Sequence, residues 1–152
     1  MENKEPETVE VLMSRQESSS KEITRALKGK LLNFLLIVTS LLGYLEWSGN
    51  SHMFLFQAEF EIIKKLFNDP LSVIHPFIML PMIGQAILFF TLCQKRPNKI
   101  LTYISIGGLG ILLVFMFLIG LISLNYKIVL STIPFIVVAV LTVMHFRKAK
   151  AE

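Results

Sequence analysis

Residues 100–126, ILTYISIGGLGILLVFMFLIGLISLNY, contain no Asp, Glu, Lys or Arg. That length exceeds the roughly 20 apolar residues a helix needs to cross a bilayer. A second run, residues 70–94, PLSVIHPFIMLPMIGQAILFFTLCQ, is equally free of charge and is closed by Lys95, Arg96 and Lys99. Two further runs complete the pattern. In residues 27–47 the charge-free part is short, and the span reaches full length if Lys28 and Lys30 snorkel to one interface while Trp47 sits at the other. Residues 128–146 form the last run, with Pro134 in their first half. The chain as a whole is 53% apolar and 17% charged with a mean hydropathy of +0.62, more apolar than soluble domains at about 45–50%.

This pattern predicts an all-α membrane protein with four transmembrane helices, at about residues 27–47, 71–94, 100–126 and 128–146. A short amphipathic helix, residues 53–67, is expected in the outer loop between spans one and two. Pro76 is placed to open the second span and Pro81 to interrupt it, because proline removes a backbone donor. Gly107, Gly108, Gly110 and Gly120 let a neighbouring helix approach span three closely, although their spacing is not a Gly-x-x-x-Gly motif and predicts no dimer face. Residues 1–20, MENKEPETVEVLMSRQESSS, are polar and lack apolar periodicity, so they read as a disordered cytoplasmic tail. Residues 21–150 then form one transmembrane domain. No Ala-x-Ala-like cleavage site follows Tyr44, so the first span is expected to stay in the mature protein.

Orientation follows from the short loops. Ten bases (Lys21, Arg25, Lys28, Lys30, Lys95, Arg96, Lys99, Arg147, Lys148 and Lys150) fall on one side and three (Lys64, Lys65 and Lys127) on the other. The positive-inside rule puts both termini and the middle loop in the cytoplasm. Abundant Ile, Lys, Phe and Asn suits a bacterial source, hence a multi-pass inner-membrane protein. The basic balance is explained by these loops, and no aromatic-interleaved basic patch points to nucleic acid. Cys93 is the single cysteine, which excludes an internal disulfide or a Cys-x-x-Cys pair and leaves it as an apolar filler.

The outer loop carries the one misplaced charge. At about 100° per residue, Gln57, Glu61, Lys64, Lys65 and Asn68 gather on one side of the loop helix, and Leu55, Phe56, Phe60, Ile62, Ile63, Leu66 and Phe67 on the other. Glu59 falls in the middle of the apolar side, where a carboxylate needs a partner or a proton. Glu46, near the outer end of span one, has a milder form of the same problem. His52, His75, Asn125 and Tyr126 are expected to converge there into one polar cluster, with Gln85 extending it toward mid-bilayer.

Three readings of that cluster follow. In the first, Glu46 and Glu59 are structural and clamp the loop helix to the bundle. In the second, Glu46, Glu59, His75, Gln85 and Asn125 form an outward-facing ligand or proton site, since ionisable groups at membrane depth are functional candidates. In the third, His52 and His75 with a carboxylate hold a metal or haem, without the tight His or Glu spacing such sites use. Asn33, Ser40 and Tyr44 form a stripe on span one that marks a helix contact. No catalytic triad, phosphate loop or nucleophile elbow occurs. The expectation is therefore a non-catalytic four-helix module without a cofactor, in contact with the lipid bilayer and with a membrane-protein partner or a second copy of itself. Proton-linked transport of a small solute is the alternative.

Overall fold

The computed structural model describes residues 5–47, 51–73 and 76–151, and the chain is mostly helical. Helix α1 (Glu5–Leu41) runs unbroken from the polar N-terminal segment into the first apolar run. The tail expected over residues 1–20 is thus helical from Glu5, with every side chain from Val9 to Arg25 exposed. Glu, Gln, Leu, Met, Lys and Arg are good helix formers, and Glu17 pairs with Lys21 one turn on at 2.8 Å. Low apolar content removed the reason to pack but not the propensity to coil.

The expected helical architecture holds for most of the chain, and a short two-stranded hairpin interrupts it at the end of α1. Strand β1 (Tyr44–Trp47) pairs antiparallel with β2 (Ser51–Phe54), Tyr44 opposite Phe54 and Glu46 opposite His52. The last four residues of the expected first span and the first two of the expected loop helix therefore belong to a hairpin. Gly43 makes the change of direction possible, because a Cβ there would lie 3.2 Å from Leu113 and 3.4 Å from the Ser40 carbonyl oxygen. Aromatic residues favour the paired strands, and the Tyr44 and Phe54 rings meet edge to face at 5.5 Å. Helix α2 (Leu55–Asn68) follows directly, docked by the Leu55 amide donating to the Gly43 carbonyl at 2.7 Å.

After a 3-10 turn at Pro70–Val73 come α3 (Pro76–Cys93), α4 (Lys99–Ile122) and α5 (Tyr126–Ala151). Pro76 opens α3 and Pro81 lies inside it. Asn98 caps α4 by accepting from the Ile100 amide at 2.9 Å. At its other end the Asn125 amide donates back to Gly120 at 2.8 Å and the Leu124 amide to Leu121 at 3.3 Å. This is a Schellman closure with leucine, φ 53°, where glycine is usual. The expected third span is therefore shorter than 100–126, ending before Ser123.

The four long helices touch in the cyclic order α1, α3, α4, α5, with α2 and the hairpin across one end. Helices α3 and α4 come close backbone to backbone, where Gly84 faces the Ser105 carbonyl and Gly108 the Leu80 carbonyl, each leaving 3.2 Å for a Cβ. Leu36, Leu88, Leu109, Leu113, Met116, Ile128 and Phe135 fill the interior. Polar residues share it: Asn33, Ser40, Thr91, Thr102, Ser105, Thr132 and Thr142 are fully buried, while Ile111, Val114, Phe115 and Leu118 of α4 face outward. Helices α4 and α5 are each long and apolar enough to cross a bilayer, yet only 28% and 22% of their apolar windows are buried against the rest of the chain. The apolar part of α3 is shorter.

Candidate functional site

Helix α2 meets the bundle through Leu55, its one buried residue, and through Glu59, while Phe56, Phe60, Ile63, Leu66 and Phe67 of its apolar side stay exposed. That docking carries Glu59 inward. Its Oε1 accepts from Gln85 Nε2 at 2.7 Å, and the same amide donates to Ser40 Oγ at 3.1 Å. Ser40 passes its own proton to the Ile37 carbonyl at 2.8 Å, so the chain of bonds runs from α2 through α3 into α1. Among the described residues no hydrogen bond engages Glu59 Oε2.

Beside Glu59 lies a cavity of about 260 Å³ walled by Leu45, Leu55, Ala58, Ile62, Pro81, Met82 and Leu112. Among the described residues Glu59 is the one ionisable side chain in that wall. Burial against these groups pushes its carboxyl up to about 7, with the Gln85 hydrogen bond pulling in the opposite direction. A carboxyl in that range takes up and releases a proton near neutrality.

Glu46 is held elsewhere. Its Oε2 accepts from Asn125 Nδ2 at 2.8 Å, while Asn125 Oδ1 caps α5 by accepting from the Lys127 amide at 3.1 Å. One side chain thus ties the hairpin to the α4–α5 junction, and the Tyr44 amide adds a bond to Ser131 Oγ on α5 at 3.0 Å. His52, opposite Glu46 in the hairpin, stacks on Tyr44 with ring centroids 5.7 Å apart. Tyr126 is exposed.

The expected single polar cluster is therefore two pairs. Gln85 reaches Glu59 and Asn125 reaches Glu46, because the hairpin turns Glu46 toward α5 while α2 turns Glu59 toward α3. His75 lies outside the described residues. Among those residues no three His, Cys, Asp or Glu side chains converge as a metal site.

At the opposite end of the helices the stripe on α1 continues inward. Asn33 Nδ2 donates to Thr91 Oγ1 at 2.8 Å and to Thr102 Oγ1 at 2.9 Å, linking α1, α3 and α4. The two threonines carried no separate signal in sequence, since either could equally have satisfied itself on its own helix, as both also do. The cavity was not legible either, because it depends on how four elements meet. No protein-family model, curated protein or solved structure matches this chain.

Proposed function

We propose that this is a four-span protein of a bacterial inner membrane, a four-helix bundle with both termini and the α3–α4 loop in the cytoplasm and α2 with the hairpin outside. We further propose that it acts without catalysis, as a module in a membrane assembly or homo-oligomer. The reading of lipid as solvent is supported by hydroxyl and amide side chains in the interior and aliphatic ones on the surface of α4 and α5. Water would reverse that distribution. In the cyclic arrangement α1 and α3 complete what α4 and α5 begin, with α3 extended by the residues before Met79 and α1 by snorkelling Lys28 and Lys30.

The observation that carries the non-catalytic reading is how the polar groups are spent. Asn33 with Thr91 and Thr102, Glu59 with Gln85 and Ser40, and Glu46 with Asn125 each bridge different elements. They act as clamps between elements, with Asn33 Oδ1 and Glu59 Oε2 left over among the described residues. Gly107 and Gly110 open onto unoccupied space on α4, which leaves room for another helix to come close. Mass measurement after extraction in mild detergent tests this: the expectation is a species larger than one chain, or a co-purifying membrane protein. A monomer recovered alone after in-membrane crosslinking would contradict it.

A second reading, binding of a proton-linked solute from the outer side, is favoured by one specific observation. Glu59 is a carboxyl near neutrality set in the wall of an apolar cavity. Uptake that depends on pH and disappears in Glu59→Gln supports it, and uptake indifferent to that change contradicts it.

A further inference from the structure

The Glu59 cavity has a chemistry narrower than "small solute". Among the described residues its wall is aliphatic apart from a single carboxyl and holds no lysine, arginine or histidine. On the elements packed against Glu59 the polar groups that face it are Gln85 of α3 and Ser40 of α1, both neutral, while α4 offers Leu112 and the hairpin Leu45. Gln85 occupies one carboxyl oxygen, and the other is left for a donor from outside the described chain. We propose that this cavity binds a small lipophilic monocation, an ammonium group on an apolar body of about one ring and a short chain, with Glu59 as its counter-ion. This deepens the solute-binding reading above and rests on it.

Size and charge both argue for that class. An apolar cavity of roughly 150 Å³ holds a benzene-sized molecule, so about 260 Å³ admits a ring with a short alkyl arm. An anion would meet Glu59 with no cation among the described lining residues to answer it. A neutral ligand would fill the space but leave the free carboxyl oxygen unused, whereas an ammonium N–H reaching that oxygen forms a charge-assisted hydrogen bond. Without ligand the half-desolvated carboxyl holds its proton readily. A cation entering the cavity favours the carboxylate, so binding of R–NH₃⁺ to the protonated acid releases one proton to solvent. Affinity for the cation then rises with pH while Glu59 titrates, by up to tenfold per unit, and levels off above.

The test uses full-length protein in phosphatidylcholine nanodiscs, with empty nanodiscs as reference. The probes are 4-phenylbutylamine and its neutral counterpart 4-phenylbutan-1-ol, each at pH 6 and pH 8. The expected result is saturable amine binding at least about tenfold tighter at pH 8 than at pH 6, with alcohol binding weaker and flat across pH. Glu59→Gln should bring the two probes to equal affinity, and Ala58→Phe, which fills the cavity from its wall, should abolish both. If the Ala58 variant fails to fold, Ile62→Phe replaces it. Equal binding of amine and alcohol by the unaltered protein overturns the monocation while leaving the solute-site reading standing. An amine preference that survives Glu59→Gln overturns the assignment to this site. Failure of both probes to saturate, as when an acyl chain fills the cavity, overturns the inference and the solute-site reading together.

Discussion

Asn33 and Glu59 sit toward opposite ends of the same helical interior and do the same mechanical work by different chemistry. Asn33 is fully buried and bonds two threonine hydroxyls, so its clamp is neutral at every accessible pH. Glu59 is only half-buried, bonds one amide, and adjoins a cavity. The Asn33 clamp joins α1, α3 and α4 where they pack against each other, whereas the Glu59 clamp holds a surface helix that could lift away. A neutral network fixes a structure, and an ionisable one beside open space makes the fixing conditional on protons or ligand. The difference is the reason the proposed function is placed at the hairpin end.

The strongest way to break this contrast is to give the Asn33 end a charge. Asn33→Asp should cost about 3 kcal/mol, the order of magnitude for a buried charge left without a partner. It would be read as a large drop in the melting midpoint of the detergent-solubilised protein. Little change would mean that water reaches Asn33 and that the two ends are alike.

The reciprocal change neutralises the other end. Because folding raises the Glu59 carboxyl from its ordinary value of 4.5 to about 7, the folded state holds the proton more tightly than the unfolded one. Stability should fall as pH rises from about 4.5 through 7 and stay level above. For a fully buried group the shift would correspond to roughly 3 kcal/mol, but solvent screening of a part-exposed carboxylate leaves roughly 1 kcal/mol. In Glu59→Gln the melting midpoint should lose that slope and exceed the unaltered protein's at pH 8. An unchanged slope would place the titrating group elsewhere.

Gln85→Leu sharpens the same point, because it removes the bond that favours the carboxylate. The loss should be about 1 kcal/mol, and the Glu59 carboxyl should titrate at still higher pH, followed by NMR of carbon-labelled glutamate. Smallest is the control at Leu124, whose left-handed backbone suits glycine. Leu124→Gly should gain about 0.5–1 kcal/mol with no pH dependence. A loss would mean that the Leu124 side chain packs against something beyond this chain.

The helices were legible where charge is absent over long stretches. Residues 100–122 of α4 could be read as a helix from composition alone, because so long a charge-free run can only be satisfied by apolar surroundings. The hairpin was not, since strands of four residues carry too little periodicity to compete with a helical reading. Glu59 stood out as a carboxylate on an apolar face. Its pairing with Gln85 rather than with Asn125 depends on the hairpin turning Glu46 toward α5, a consequence of one local element that the sequence pattern concealed. Residues 5–20 show the converse limit: helix propensity is local, and polarity predicts exposure more securely than it predicts disorder.

Everything above depends on lipid surrounding α1, α3, α4 and α5 so that successive connections alternate across the membrane. Single cysteines at Ser51, Asn98, Lys127 and Lys148, in a chain whose exposed Cys93 is replaced by serine, can be challenged in intact cells with an impermeant maleimide. Labelling of Ser51→Cys and Lys127→Cys, with Asn98→Cys and Lys148→Cys reacting only after permeabilisation, is the predicted result. Reaction of Asn98→Cys from outside, or protection of Ser51→Cys, would contradict the account.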